Sequence, residues 1–394
     1  MTEMARRHFI KAGSAAALAG VTVPGLSEMA KRPHSSMEGG RTREVNFWVD
    51  GVMPTPDEYA ATLKQLTETQ SNLKDRYGRG GAVEQLEHRF ASLTGKERAL
   101  YLPSGTMANQ LAISVLSGDA SKVFVQELSH VFRDEADAAQ VVHGKRLVPL
   151  APDRGCFTRL ELEEALSNVR QGEAFRTSIG ALSVENPVRR AEGEVFDIDE
   201  LRRVCEFARA NELGLHLDGA RLYLASEYSG VGVDEYAALF DTVYISLYKY
   251  FRAPAGAVLC GPESVIERVA LLRKMHGGDM YQNWPNAAVA LHFLKGFEDR
   301  FAKARAKADT LFTMLEATGL FEVHPVPNGS NIFKLGLGNA DVDRFRARLS
   351  EKWTVKVSGA QDDGLIRLHV NDTQLGIPND TLTEAFEDAH RAAS

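Results

Sequence analysis

Gly214-Leu215-His216-Leu217-Asp218-Gly219-Ala220-Arg221, followed by Thr242-Val243-Tyr244-Ile245-Ser246-Leu247-Tyr248-Lys249-Tyr250-Phe251-Arg252, is the stretch that decides the fold. Each half opens with a short apolar run that ends at a charged residue, and a helix-length segment separates the two. Short apolar runs bounded by turn residues read as strands buried on both faces, and strands alternating with helices read as a mainly parallel sheet. The same rhythm extends outward. Strands are expected at 99–102, 122–125, 146–150, 181–184 and 257–260, which with 214–217 and 242–246 makes seven in one sheet. After Trp284-Pro285 a long helical stretch runs to about Leu315, and strands near 331–335, 354–357 and 366–370 then alternate with helices. The expected fold is α/β: a large domain over 44–284 carrying the seven-stranded sheet, and a smaller C-terminal α/β domain over 285–394.

In open α/β sheets ligands bind outside the carboxyl ends of the strands. Four such ends carry polar residues. Leu102-Pro103-Ser104-Gly105-Thr106 leads into a helix pattern, so the backbone amides of Gly105 and Thr106 would face an anion such as a phosphate, although Ser104 reads equally as an ordinary helix cap. The strand before His130 brings a flat imidazole that can stack on a ring or act as a base, with Glu135 close behind; a lone histidine also serves as a structural residue. Asp218 can pair with a pyridine nitrogen or simply cap the next helix. Lys249 lies among aromatic and apolar residues, which lowers an amine's pKa and favours the free base that forms an imine, although such a lysine can also snorkel from a core rim. Phosphate turn, ring-facing carboxylate and imine lysine, in this order, are what pyridoxal 5′-phosphate (PLP) needs.

These residues resemble the threonine aldolase and β-eliminating lyase family, a branch of the fold type I PLP enzymes, over roughly 77–278. The family's phosphate turn is similar to Leu102 through Asn109, its ring-stacking histidine block to Gln126-Glu127-Leu128-Ser129-His130, its Glu-Asn turn to Glu185-Asn186, and its His-x-Asp-Gly-Ala-Arg motif to His216 through Arg221. Arg273-Lys274-Met275-His276-Gly277-Gly278 continues the likeness. The resemblance implies PLP bound by Ser104, Gly105, Thr106, His130, Asp218, Arg221 and Lys249. It makes Lys249, His130, Asp218 and Glu135 catalytic, and Arg221 with Arg367 the grip on a substrate carboxylate. It implies retro-aldol cleavage of a β-hydroxy-α-amino acid to glycine and an aldehyde; β-elimination on a sulfur or other amino acid, and cofactor binding without turnover, are the alternatives. The chain departs from the pattern at Trp48-Val49-Asp50-Gly51-Val52-Met53, where a polar substrate contact is expected to be missing. It departs again at Tyr77-Gly78-Arg79-Gly80, which resembles the Tyr-x-Arg of sulfur amino acid lyases. There Tyr77 and Arg79 would reach the phosphate of a neighbouring subunit, making a homodimer or homotetramer with shared sites. Arg252 is the rival phosphate contact within one subunit.

Composition fits this picture. Among 394 residues, 44% are hydrophobic and 25% charged, as in ordinary globular proteins. The formal charge of −7 comes without a basic stripe, which argues against nucleic acid as partner. Cys156, Cys205 and Cys260 are too few and too scattered for a disulfide framework or a metal site, and none is expected. At the start, Arg6-Arg7-His8-Phe9-Ile10-Lys11 precedes an apolar run over 12–26 that is too short to span a bilayer. It looks like a twin-arginine export signal over 1–30, followed by a polar linker over 31–43, for a protein that folds around PLP in the cytoplasm and then reaches the periplasm. No membrane contact beyond the export machinery is expected.

Overall fold

A computed structural model describes residues 44–394, so the export signal and linker expected at 1–43 lie outside the described residues. The first strand, Val45–Asn46 (β1), is only two residues long. Seven strands then follow where the apolar runs place them: Arg98–Leu102 (β2), Lys122–Gln126 (β3), Arg146–Leu150 (β4), Ile179–Glu185 (β5), Gly214–Asp218 (β6), Thr242–Ser246 (β7) and Ala257–Gly261 (β8). They form one sheet in the order β2-β8-β7-β6-β5-β3-β4. All neighbours pair in parallel except β8, which runs against both β2 and β7. Every residue of β3, β7 and β8 is buried, because helices cover both faces. The carboxyl ends of β2, β3, β5, β6 and β7 therefore gather at one edge.

The C-terminal region adds Glu322–Pro325 (β9), Ile332–Gly336 (β10), Val355–Lys356 (β11) and Ile366–His369 (β12). Of these, β12, β10 and β9 form an antiparallel sheet, while β11 pairs in parallel with β1. The described residues make one compact unit with two main hydrophobic cores. The larger core runs on through Trp284–Leu294 and Phe297 to Ala304; the smaller begins at Ala308 and takes in Val45 and Phe47. The boundary between cores thus falls inside the helix Phe297–Ala317, not at 284, and the N-terminal segment belongs with the C-terminal core. Both Cys205 and Cys260 are buried, Cys156 is half-buried, and all three thiols are free. Among the described residues no helix is long and apolar enough to cross a membrane.

Candidate active site

Each strand end delivers one group to a pocket of about 120 Å³ lined by Ser104, Gly105, Thr106, His130, Glu135 and Lys249, among others. After β2, Ser104 caps the helix Gly105–Ser117 by accepting a hydrogen bond from Met107 N at 3.3 Å. The cap and the anion cradle are thus one structure, since the first amides of a helix have no intrahelical partner. A Cβ at Gly105 would sit 2.0 Å from the Tyr244 hydroxyl, so only glycine lets this turn lie against the β7 side of the pocket.

After β7, Leu247, Tyr250 and Phe251 are buried, and Tyr250 stacks on Phe297 at 5.1 Å. These anchors leave Tyr248 and Lys249 as the two residues that face the pocket. Burial and the nearby Arg221 guanidinium lower the Lys249 amine to about 8.

Asp218 ends β6, and its Oδ1 accepts a hydrogen bond from Ala220 N at 3.1 Å. Its Oδ2 accepts one from Asn109 Nδ2 at 2.8 Å, and the same amide reaches Glu135 Oε1 at 2.8 Å. The other partner of Glu135 Oε1 is His130 Nδ1, at 2.9 Å. That bond, with burial opposing it and Asp218 adding to it, raises the basicity of His130. Glu185, at the end of β5, fixes the loop from the other side: its two oxygens accept from His130 N at 2.6 Å and Arg189 N at 3.0 Å. Burial and the Asp218 charge push its carboxyl above the ordinary range.

A second cavity of about 680 Å³ opens beyond Arg221, Tyr248 and Lys249 and is lined by Asp50, Glu192, Asp363, Arg367 and His369. Arg221 Nε donates to Asp50 Oδ2 at 2.8 Å, and His369 Nδ1 lies 3.4 Å from Asp50 Oδ1. Although burial works against it, the Arg221 charge holds the Asp50 carboxyl far below the usual carboxylate range. The segment expected to lack a polar substrate contact does carry a carboxylate, which acts on Arg221 and orients it. Gly51 permits this, because a Cβ there would lie 2.9 Å from both Lys249 O and Tyr250 Cα.

Two expectations, for Arg367 and Arg252, need correction. Arg367 lines the outer cavity, but its guanidinium donates to Glu192 Oε1 at 2.6 Å from Nε and to Asp363 at 2.7 and 2.8 Å from Nη1 and Nη2. It is not poised to grip a further carboxylate. Arg252 does not line the PLP pocket: it donates to Asp372 Oδ2 at 2.5 Å and lies 4.3 Å over the Phe293 ring. Tyr77 and Arg79 line a different cavity, about 1080 Å³, with Arg273 and Lys274. No residue of the inner pocket lines it. Ser104, Gly105, Thr106, His130, Glu135, Asp218, Arg221 and Lys249 do come together. Asn109, Glu185, Asp50 and Glu192 take parts that their sequence context did not assign.

The donor set suits PLP: a helix N-terminus for a phosphate, a buried carboxylate for a pyridine nitrogen, a flat imidazole, and a lysine amine depressed toward neutrality. The family model for β-eliminating lyases matches residues 59–336, more than half of the chain. The chain belongs to the β-eliminating lyase family. It is 29% identical to a low-specificity L-threonine aldolase of Candida albicans over 75% of this chain and 78% of that one. It is 34% identical to an alanine racemase, TOXG, of Cochliobolus carbonum, over 57% of each chain. Among solved structures, a putative aromatic amino acid β-eliminating lyase/threonine aldolase from Exiguobacterium sp. 255-15 superposes with a TM-score of 0.75 at 25% identity, covering 89% of this chain and 97% of that one. The protein is a PLP-dependent lyase of fold type I, and its residues divide the work. With PLP bound, Gly105 and Thr106 would hold the phosphate, Asp218 the pyridine nitrogen, His130 the ring and Lys249 the imine.

Proposed function

We propose that this lyase cleaves a threonine-like β-hydroxy-α-amino acid into glycine and an aldehyde. The observation that carries the reading is the His130–Glu135 pair at the pocket. Glu135 occupies Nδ1 at 2.9 Å, and Nε2 makes no hydrogen bond among the described residues. An imidazole whose Nδ1 proton is held by a carboxylate keeps Nε2 as a proton acceptor, and the Glu135 bond raises its basicity. Bound PLP withdraws electrons from the substrate's α-carbon. The protein's part is to place the carboxylate on Arg221, whose Nη1 and Nη2 make no hydrogen bond among the described residues while Asp50 fixes Nε. His130 Nε2 then takes the β-hydroxyl proton, which lets the Cα–Cβ bond break and the aldehyde leave, and a proton delivered to the α-carbon completes glycine. The Candida relative's name, a low-specificity L-threonine aldolase, supports the same reaction.

The reading extends to assembly and location. Tyr77 and Arg79, in a cavity away from their own PLP pocket and with Tyr77 40% exposed, are read as serving the phosphate of a second copy in a homodimer or homotetramer. The twin-arginine pattern at Arg6-Arg7 is read as sending the folded, PLP-loaded enzyme to the periplasm. Replacing both arginines with lysine should leave active enzyme in the cytoplasm, and unchanged export would reject that reading.

Purified enzyme given threonine, other β-hydroxy amino acids, cysteine conjugates and L-alanine tests the reaction. Glycine and an aldehyde from the β-hydroxy acids are expected. Pyruvate from the cysteine conjugates alone would replace the proposal with β-elimination, and D-alanine alone with racemisation.

A further inference from the structure

We infer that Asn109 is a positioning residue that holds two facing carboxylates of the cofactor pocket, Glu135 and Asp218, in register by donating one amide hydrogen to each. Three elements meet at this side chain. Asn109 sits in the helix Gly105–Ser117 and is fully buried. Glu135 comes from the loop after His130–Arg133, and Asp218 from the end of β6. Ligand atoms of His130, Glu135 and Asp218 all lie within 4.8 Å of one another. Two carboxylates that close in a pocket shielded from water repel strongly, and the repulsion is relieved if a neutral group with two donors stands between them. Asn109 Nδ2 does so, at 2.8 Å to each.

The hydrogen-bond chain beyond it admits one assignment. Carboxylates in these bonds accept, so the amide must turn its nitrogen to them and its Oδ1 to His216 Nε2, 3.0 Å away. Nε2 of His216 therefore carries the proton, and Nδ1 accepts from the Thr242 hydroxyl at 2.8 Å. That is a neutral imidazole, in keeping with burial, which pushes His216 down to about 4. Thr242, His216 and Asn109 thus form a neutral rail ending at the two charged acceptors. Through Asn109 the carboxylate that would meet the pyridine nitrogen is tied to the carboxylate that holds His130. An aspartate in place of Asn109 would have nearly the same shape but no donors and a third negative charge. An alanine would leave both carboxylates facing each other.

The inference rests on the cofactor and not on the substrate proposed above, and reading cofactor release in the absence of substrate keeps the two separable. Holoenzyme variants are diluted, and the loss of bound-cofactor absorbance is followed in time, with circular dichroism to confirm the fold. Asn109→Ala should release cofactor about ten- to a hundredfold faster than wild type, as expected for losing hydrogen bonds to charged acceptors. Asn109→Asp should release it at least as fast as Asn109→Ala. The discriminating measurement is the double variant: with Glu135→Gln already present, adding Asn109→Ala should change the release rate by less than about threefold, because the repulsion is gone. If Asn109→Ala does not fold, Asn109→Asp is compared in the same two backgrounds, where its effect should shrink equally. An effect of the same factor in both backgrounds would mean that Asn109 only fills space. An Asn109→Asp enzyme that holds cofactor like wild type would overturn the inference outright.

Discussion

Arg221 and Arg367 face the same outer cavity with opposite commitments. One carboxylate, Asp50, holds Arg221 at Nε, and among the described residues its two terminal nitrogens make no hydrogen bond. Arg367 is held by Glu192 and Asp363 together, and Lys334 Nζ braces that pair from 2.7 Å off Glu192 Oε2. A guanidinium offers five donors, and what it can recognise is decided by how many are left over. Arg221 is oriented for use; Arg367 is a tie in the cleft wall.

Substitutions along the cleft should separate the two arginines. The largest effect sets the scale: Lys249→Ala, beside Arg221, should lose the bound-cofactor absorbance at neutral pH and lower turnover by on the order of a thousandfold or more. Retained absorbance and turnover would remove Lys249 from its role. Next, Arg221→Ala should raise KM for the amino acid by roughly a hundredfold with a smaller change in kcat, since a charge-assisted carboxylate grip is lost. It should also act on Lys249. The amine loses its proton through about 8, so cofactor uptake by stripped enzyme should rise with pH through that midpoint and level off above it. Removing the Arg221 charge should move that midpoint upward, and a midpoint that stays put would show the two groups uncoupled.

Arg367→Ala should behave differently. Its KM should change by less than about tenfold, the pH midpoint should not move, and the melting temperature should fall by a few degrees because Glu192 and Asp363 keep only Lys334 as a shared cation. A KM effect as large as that of Arg221→Ala would erase the distinction. Glu192→Gln is the smallest perturbation: it frees part of Arg367, and KM should drop by no more than about threefold. A rise in KM would instead assign Glu192 a direct contact with substrate.

The inner pocket was largely legible in the sequence, and the outer cleft was not. Asp218, Lys249 and His130 each stand at the end of an apolar strand run, and the run fixes both the strand and the place where it stops. Local pattern and function coincide there. The outer cleft is built from pairings between distant segments: Asp50 with Arg221, Glu192 with Arg367, and β1 with β11. No periodicity marks a two-residue strand such as Val45–Asn46, and the mostly exposed Glu322–Pro325 carries no apolar run. Arg367 was visible as an arginine in a strand, but the acids that occupy it come from a turn more than a domain away and from a nearby loop. Asn109 was visible as the end of the family-like phosphate turn but with no part of its own, because what matters about it is the two carboxylates it meets.

The join between Val45 and Val355 also sets a timetable for the growing chain. A ribosome adding about 5–20 residues each second needs roughly 15–60 s to pass from one to the other. Until then the first strand has no partner, and the stretch carrying Asp50 has only Arg221 and the Lys249–Tyr250 backbone to settle against. Residues 104–249, which line the inner pocket, emerge well before that. The nascent chain can therefore complete its cofactor seat while the wall that confines a substrate is still being translated, and the first strand made, Val45–Asn46, is among the last to be paired.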